Sequence, residues 1–286
     1  MGGSSPVIDP HGNVYVASAD GYDLGAGQPY DDSDAVLELS PTMRLKSIFY
    51  PKDWQQLSAD DLDLGTGDPA LVHGFVLQVG KTDIGYLLRQ GHLGGSEGEV
   101  TSRSVCSGNP DGGHAVKRSV VYVPCPNGVT AIKVLAKAPY LKQLWTDNDG
   151  AAGAPIIADG LIWTIGSDNA VHGLNPANGK VVVSIPFGGS ANHFPTPSVG
   201  DGLLLLPHRP GPRLQGSGRA AAATPGEVRR AWVPLMLIEP DSGRRRRSRP
   251  GTGAVRWCRS LGPARTDRQL VLAPSTARRS PRAVRL

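Results

Sequence analysis

One phrase returns at nearly constant intervals through the first two thirds of this 286-residue chain, and it limits the possible folds more than any other feature. It consists of a Pro or small residue, an apolar pair, a polar residue, Gly, and then an apolar run. It reads Pro6-Val-Ile-Asp-Pro-His-Gly12-Asn-Val-Tyr-Val, then Pro69-Ala-Leu-Val-His-Gly74-Phe-Val-Leu-Gln-Val. It returns as Pro155-Ile-Ile-Ala-Asp-Gly160-Leu-Ile-Trp-Thr-Ile and as Pro197-Ser-Val-Gly-Asp-Gly202-Leu-Leu-Leu-Leu. A weaker copy, Val116-Lys-Arg-Ser119-Val-Val-Tyr-Val, has Ser in place of Gly. Gly160 and Gly202 lie 42 residues apart, and Gly74 and Gly160 lie 86 apart, which is two periods of 43. Gly12 and Gly74 are 62 apart, one period plus an insertion.

Each copy has a direct physical reading. A His-Gly or Asp-Gly pair reverses the chain, because hairpin turns need positive φ and Gly accepts it without a steric penalty. The apolar run that follows is a central strand buried on both faces. Gly166-Ser-Asp-Asn and the Asn-Gly pair at 178–179 mark further turns, each followed by another apolar strand. A period of roughly 40–50 residues with this content fits a four-stranded β-propeller blade. Blades bury their faces on one another, so several must be present before a core exists. The 37 Gly and 25 Pro argue against long helices.

Particular segments resemble the PQQ-type repeat of quinoprotein dehydrogenases and their non-enzymatic relatives. The stretch 166–187, GSDNAVHGLNPANGKVVVSIPF, is similar to the repeat pattern Gly-Ser-x-Asp, a Leu or Val strand, and a closing Gly-Lys. YDDSDAVLELSP (Tyr30 to Pro41) and DDLDLGTGDPALVHGFVLQVGKTDIGYLL (Asp60 to Leu88) resemble further blade segments. Ala191-Asn-His-Phe-Pro-Thr-Pro resembles the loop that opens another blade. The resemblance covers residues 6 to 206 and implies an all-β chain with four blades plus the opening strand of a fifth. The family closes rings of seven or eight blades, so the expectation is an incomplete propeller over residues 1–206, truncated relative to a longer parent.

From Pro207 the composition changes. Up to Leu206 there are 12 basic and 21 acidic side chains, a net −9; beyond it there are 18 Arg, no Lys and 4 acids, a net +14. The basic balance therefore belongs to the tail alone. Apart from the apolar run Trp232 to Ile238, residues 207–286 have the low hydrophobicity and high charge of a disordered segment. The Arg, Pro, Ala and Gly bias also fits a shifted reading frame in a GC-rich gene, which resequencing would test. The run Arg244 to Arg247 offers a phosphate-binding arm, but without a nucleic-acid-binding fold around it nucleic acid is not the expected partner. No apolar stretch is long enough to span a membrane as a helix, and the first twenty residues lack a signal-peptide pattern.

The resemblance also implies a candidate site. In the enzymes an Asp acts as base on an alcohol or sugar while the quinone accepts hydride, and a Lys or Arg contacts the quinone. The matching positions are Asp61 and Asp63 for the base and Lys81 for the quinone, with PQQ and calcium as cofactors; the cofactor carries the hard chemistry. Solvated turn carboxylates and a surface lysine are the competing reading of the same residues. Asp31, Asp32 and Asp34 with Asp60, Asp61 and Asp63 offer hard oxygen ligands for calcium, although the spacing lacks the EF-hand Gly and Glu. No metal-ligand spacing links His11, His73, His92, His114, His172 and His193, which are expected in exposed turns. Cys106 and Cys125, 19 residues apart, form either a disulfide or two free thiols, depending on the compartment. Trp54, Trp145 and Trp163 are expected to fill space between blades.

Three functions follow from the resemblance: a binding or scaffold module of a secreted or envelope protein, with a protein or small-molecule partner; a PQQ-dependent dehydrogenase; or an inactive truncated gene product. A vicinal Cys pair and a repeated tryptophan docking motif are missing from the sequence, which favours the first. An open ring would leave a blade face and strand edges uncovered. The purified chain is therefore expected to be poorly soluble or only partly folded, and a sharp cooperative melt of the monomer would contradict this.

Overall fold

The computed structural model describes residues 5–21, 30–148, 153–186, 195–200, 203–207 and 235–238. These form five successive antiparallel sheets of β-propeller type, with one six-residue helix and one 3-10 turn. The first sheet contains β1 (Val7–Ile8), β2 (Val14–Ala17), β3 (Val36–Leu39) and β4 (Leu45–Tyr50). The helix α1 (Trp54–Ala59) and the turn Leu64–Thr66 lead into the second sheet. That sheet holds β5 (Ala70–Val72), β6 (Phe75–Val79), β7 (Ile84–Arg89) and, after the two-residue β8 (Gly95–Ser96), β9 (Thr101–Ser104). The third comprises β10 (Ala115–Lys117), β11 (Val120–Cys125), β12 (Gly128–Val134) and β13 (Leu141–Thr146). The fourth comprises β14 (Ile156–Ala158), β15 (Leu161–Ile165), β16 (Ala170–Leu174) and β17 (Val181–Pro186). The fifth has β18 (Ser198–Gly200), β19 (Leu203–Pro207) and β20 (Leu235–Ile238).

Every copy of the recurring phrase is the first hairpin of a sheet. In the second and fourth sheets both turn residues are left-handed, His73 with Gly74 and Asp159 with Gly160, the geometry whose twist matches the flanking strands. The copy with Ser119 forms the same hairpin with only Arg118 at positive φ. The fifth sheet goes beyond the single strand expected. Composition sets the apolar run Trp232 to Ile238 apart from the rest of the segment beyond 207, and within that run Leu235–Ile238 pair antiparallel with β19, Leu205 opposite Leu237. The charged run Arg244 to Arg247 and the rest of the basic segment lie outside the described residues.

Alternation along the central strands decides how the sheets stack. Val76 and Leu88 face the first sheet and join Tyr15, Val36 and Phe49, while Leu77 and Leu87 face the third and join Val121, Val123 and Ile132. Tyr122 and Ala131 turn to the fourth sheet, against Ile162 and Leu174. Ile165 and Val171 meet Leu204 and Leu206 of the fifth. Burying each such side chain contributes about 1.5–3 kcal/mol, so the central strands β6, β7, β11, β12 and β16 are almost wholly buried. The outer strands β9, β13 and β17 are mostly exposed.

Specific ties reinforce this stacking. The β7–β9 connection leaves its own sheet, and β8 pairs in parallel with β4, Phe49 opposite Gly95. Beside it the fully buried Glu38 carboxylate accepts from Gly91 N at 2.8 Å and from Lys46 Nζ at 2.6 Å. Cys106, just past β9, is disulfide-bonded to Cys125 at the end of β11, with the Cα atoms 5.4 Å apart. This joins the second sheet to the third, and a loop of that length is worth about 3 kcal/mol.

Trp145 joins the third sheet to the fourth. Its indole N–H donates to Pro176 O at 3.1 Å, and its ring lies over the β16–β17 turn. Gly179 in that turn has φ 72°, and a Cβ there would sit 2.5 Å from Trp145 Cε3. Trp163 packs between the fourth and fifth sheets. Trp54 differs from expectation: it lies on α1, edge-on to Tyr30, which stacks on Tyr50.

Trp145→Ala is expected to destabilise the chain by about 3 kcal/mol, at the lower end for a truncated aromatic. Gly179→Ala adds backbone strain of about 1–2 kcal/mol to the clash with the indole. In a Trp145→Ala background the clash disappears, so the cost of Gly179→Ala should fall toward the strain alone. Denaturant melts of the two single variants and the double variant measure that coupling.

Candidate functional site

The residues expected to carry chemistry lie on the segment that joins α1 to β5 and at the end of β6. Gly80 approaches this segment so closely that a Cβ would sit 2.5 Å from Leu64 Cα, and at Gly65 a Cβ would meet Ser18 O at the same distance. The buried Gln78 side chain donates to Leu64 O at 2.8 Å and Gly67 O at 2.9 Å. Backbone from the first and second sheets thus clamps residues 63–67 and fixes where Asp63 points.

Asp61, Asp63 and Lys81 meet at one place. Lys81 Nζ donates to Asp61 O and to Asp61 Oδ1, both at 2.9 Å, and makes a short ion pair with Asp63 Oδ2. The Lys81 backbone N–H also donates to Asp63 O at 3.0 Å. Asp61 is itself left-handed, with φ 55°, which turns its carbonyl and its carboxylate toward the same ammonium.

Two further carboxylates come from the first sheet's connections. Asp20 N donates to Asp63 Oδ1 at 3.1 Å. Asp34, fully buried, accepts from Leu64 N at 2.8 Å and from Ser58 Oγ at 2.7 Å. Oxygen atoms of Asp20, Asp34 and Asp63 lie within 4.8 Å of one another.

Burial and charge set the protonation of this group. Burial pushes Asp63 upward, but hydrogen bonds from Lys81 and the Asp20 N–H, with the Lys81 charge, outweigh it and hold the carboxyl below the usual range. Burial opposes the Lys81 charge, yet Asp63 and Asp61 raise its pKa well above the ordinary lysine value. Asp34 is raised, chiefly by burial. Asp20 is exposed, and among the described residues it has no cation of its own. Partial burial of its carboxyl, followed by repulsion from Asp63, Asp34 and Asp61, pushes it up to about 6.

This donor set does not fit the cofactors that the resemblance implies. Calcium takes six to eight oxygens. Here the Asp63 carboxylate is already engaged by an ammonium, and both Asp34 oxygens accept hydrogen bonds. Of the wider set considered from the sequence, Asp31, Asp32, Asp60 and Asp61 lie outside the converging group; Asp31 Oδ1 accepts Ser33 N, and Asp60 Oδ2 accepts Gln56 Nε2. A quinone carboxylate at Lys81 would have to displace two aspartates. An Asp63 held below its usual range is also a poor base near neutral pH.

The histidines divide. His11, His73 and His92 are exposed as expected, and His193 lies outside the described residues. His114 and His172 are not exposed. The His114 ring, 1% exposed, meets Asp68 O at 2.7 Å across the second and third sheets, and His172 pairs with Asp168 at 3.1 Å within the fourth. Sequence reasoning missed Asp20, whose partner Asp63 lies 43 residues away, and it missed the enclosure of the two histidines; Asp34 was named only as one of six carboxylates for calcium.

Fold and site together define a repeat module of the β-propeller class whose charged residues join neighbouring sheets. No family model matches the chain, and no curated protein matches it in sequence. Among solved structures it is similar to BamB from Moraxella catarrhalis, at 13% identity and TM-score 0.47, covering 73% of this chain and 67% of that one. It is also similar to a chain of the Mitotic Checkpoint Complex, at 9% identity and TM-score 0.49, covering 72% of this chain and 58% of that one. The computationally designed Ika4 protein is a third, at 9% identity and TM-score 0.39, covering 50% and 84%. At these values the likenesses say nothing of what the chain does.

The raised Asp20 gives a prediction with a definite sign. A carboxyl whose folded pKa is about 6 binds its proton more readily in the folded state, so it lowers stability as pH rises from about 4 to 6. Asp20→Asn is expected to raise stability at pH 7 by roughly 1 kcal/mol, after allowing for solvent screening. The gain should vanish below about pH 4. Urea melts at pH 4 and pH 7 test this, and a loss of stability at pH 7 would reveal a favourable partner for the Asp20 carboxylate.

Proposed function

We propose that the chain is a binding or scaffold module built from PQQ-type blades, contacting a protein or small-molecule partner through the connections between its sheets. The observation that carries this reading is the engagement of Lys81 by Asp61 and Asp63. The residues that would serve a quinone are spent on joining the first and second sheets. On this reading the module occupies residues 1–206, and the strand Leu235–Ile238 pairs with its last described sheet. The Cys106–Cys125 bond supports an oxidising compartment, outside the cell or within its envelope. Among the described residues no helix is long and apolar enough to cross a membrane.

A second reading, a PQQ-dependent dehydrogenase of alcohols or sugars, has one observation in its favour. Asp61, Asp63 and Lys81 converge, as the resemblance to the enzymes implies. Titrating the purified chain with PQQ and calcium separates the two readings. The binding-module reading expects no stoichiometric quinone absorption band and no alcohol-dependent dye reduction. A saturable band at micromolar cofactor, abolished by Lys81→Met, would establish the enzyme instead.

A further inference from the structure

The first sheet has two faces, and among the described residues only one of them packs on another sheet. Tyr15, Val36 and Phe49 meet the second sheet. The opposite face carries two rows of side chains fixed by register: Ile8, Val14, Leu39 and Leu45 lie side by side across all four strands, and Val16, Leu37 and Ile48 form the next row. All seven are aliphatic, and no polar side chain interrupts the rows. All are at least partly exposed, Ile8 at 66% and Leu45 at 54%, and Met43 in the adjoining turn is 63% exposed. An uninterrupted apolar sheet face of this kind marks an interaction surface.

The chain repeats the contact that would cover it. Four times in succession one sheet lays an aliphatic face on the next. Among the described residues the fifth sheet is the last of the series, and no sheet packs on its other face. Leu204 and Leu206 turn inward against the fourth sheet, so Leu203 and Leu205 point the other way and are half-exposed. The two ends of the stack are unlike each other: by register Leu203 and Leu205 share the outer face of the fifth sheet with Gly200 and Ser198 of β18.

We propose that the outer face of the first sheet docks the outer face of the fifth sheet of a second copy of this chain, head to tail, as a continuation of the stacking within each copy. Such a contact is heterologous, so association either closes into a ring of copies or continues. It uses neither the Lys81 cluster nor any partner of the binding-module reading, and it stands or falls independently of both.

Two variants test the pairing. Ile8→Lys with Leu45→Lys blocks the first face at its most exposed positions, and Leu205→Lys blocks the fifth. The wild-type chain is expected to show a weight-average mass that rises with concentration in analytical ultracentrifugation. Each variant alone should associate roughly tenfold more weakly or worse, because a lysine must be desolvated at the contact. An equimolar mixture of the two should give a complex of one chain of each, since the free fifth face of the first variant meets the free first face of the second. A wild-type chain that stays monomeric overturns the proposal. So does self-association of the Leu205→Lys chain alone, which would mean that first faces pair with each other, and so does a mixture that remains monomeric. If the variants fail to fold by circular dichroism, hydroxyl-radical labelling of the wild-type chain decides. Labelling of Ile8, Leu45 and Leu205 should fall as concentration rises while exposed Val182 of β17 stays constant, and unchanged labelling at all of them refutes the docking.

Discussion

Everything in this structure depends on covering the central strands on both faces at once. A sheet whose middle strands are aliphatic on each side has no face to spare for water, so it folds only between neighbours. Val120-Val-Tyr-Val in β11 shows the constraint in four residues: Val121 and Val123 are buried against the second sheet and Tyr122 against the fourth. A register slip of one residue would exchange those faces and break both contacts.

Burial alone does not fix how far one sheet turns relative to the next, and polar and covalent ties do that work. Glu38 reaching Gly91, Cys106 bonded to Cys125, His114 meeting Asp68 and Trp145 donating to Pro176 each cross from one sheet to the next. The Lys81 cluster belongs to this set. It brings Asp20 and Asp63 together from successive sheets; partial burial raises Asp20, and the repulsion of carboxylates that one ammonium cannot all neutralise raises it further. In this chain a charged cluster at a junction between sheets reads first as a fastening.

What the sequence made legible was local. The hairpins at Gly12, Gly74 and Gly160 announce themselves because the turn chemistry and the strand that follows are adjacent in the chain, and even Ser119 did not conceal its hairpin. The meeting of Asp61, Asp63 and Lys81 was reachable only through resemblance, since nothing in their spacing requires it. Asp20 lies 43 residues from the carboxylate it touches, and Glu38 lies 53 from Gly91, beyond the reach of any periodic pattern. The strand at Leu235–Ile238 was visible as an apolar run, but its partner β19 is separated from it by a basic stretch that gives no hint of a return to the sheet. His172 was misjudged because a turn signal at Gly166 to Asn169 hides the start of a buried strand immediately after it.

The crossing of β8 onto β4 bears on how such a chain can lengthen or shorten over evolutionary time. A simple repeat protein gains or loses one unit by unequal recombination, since each unit keeps its strands to itself. Here the second unit lends a strand, two backbone donors at Gly91 and Leu93, and the aspartate of its leading loop to the first. Excising either alone would strip the other of hydrogen bonds it cannot replace. The smallest heritable module at this end of the chain is a pair of blades.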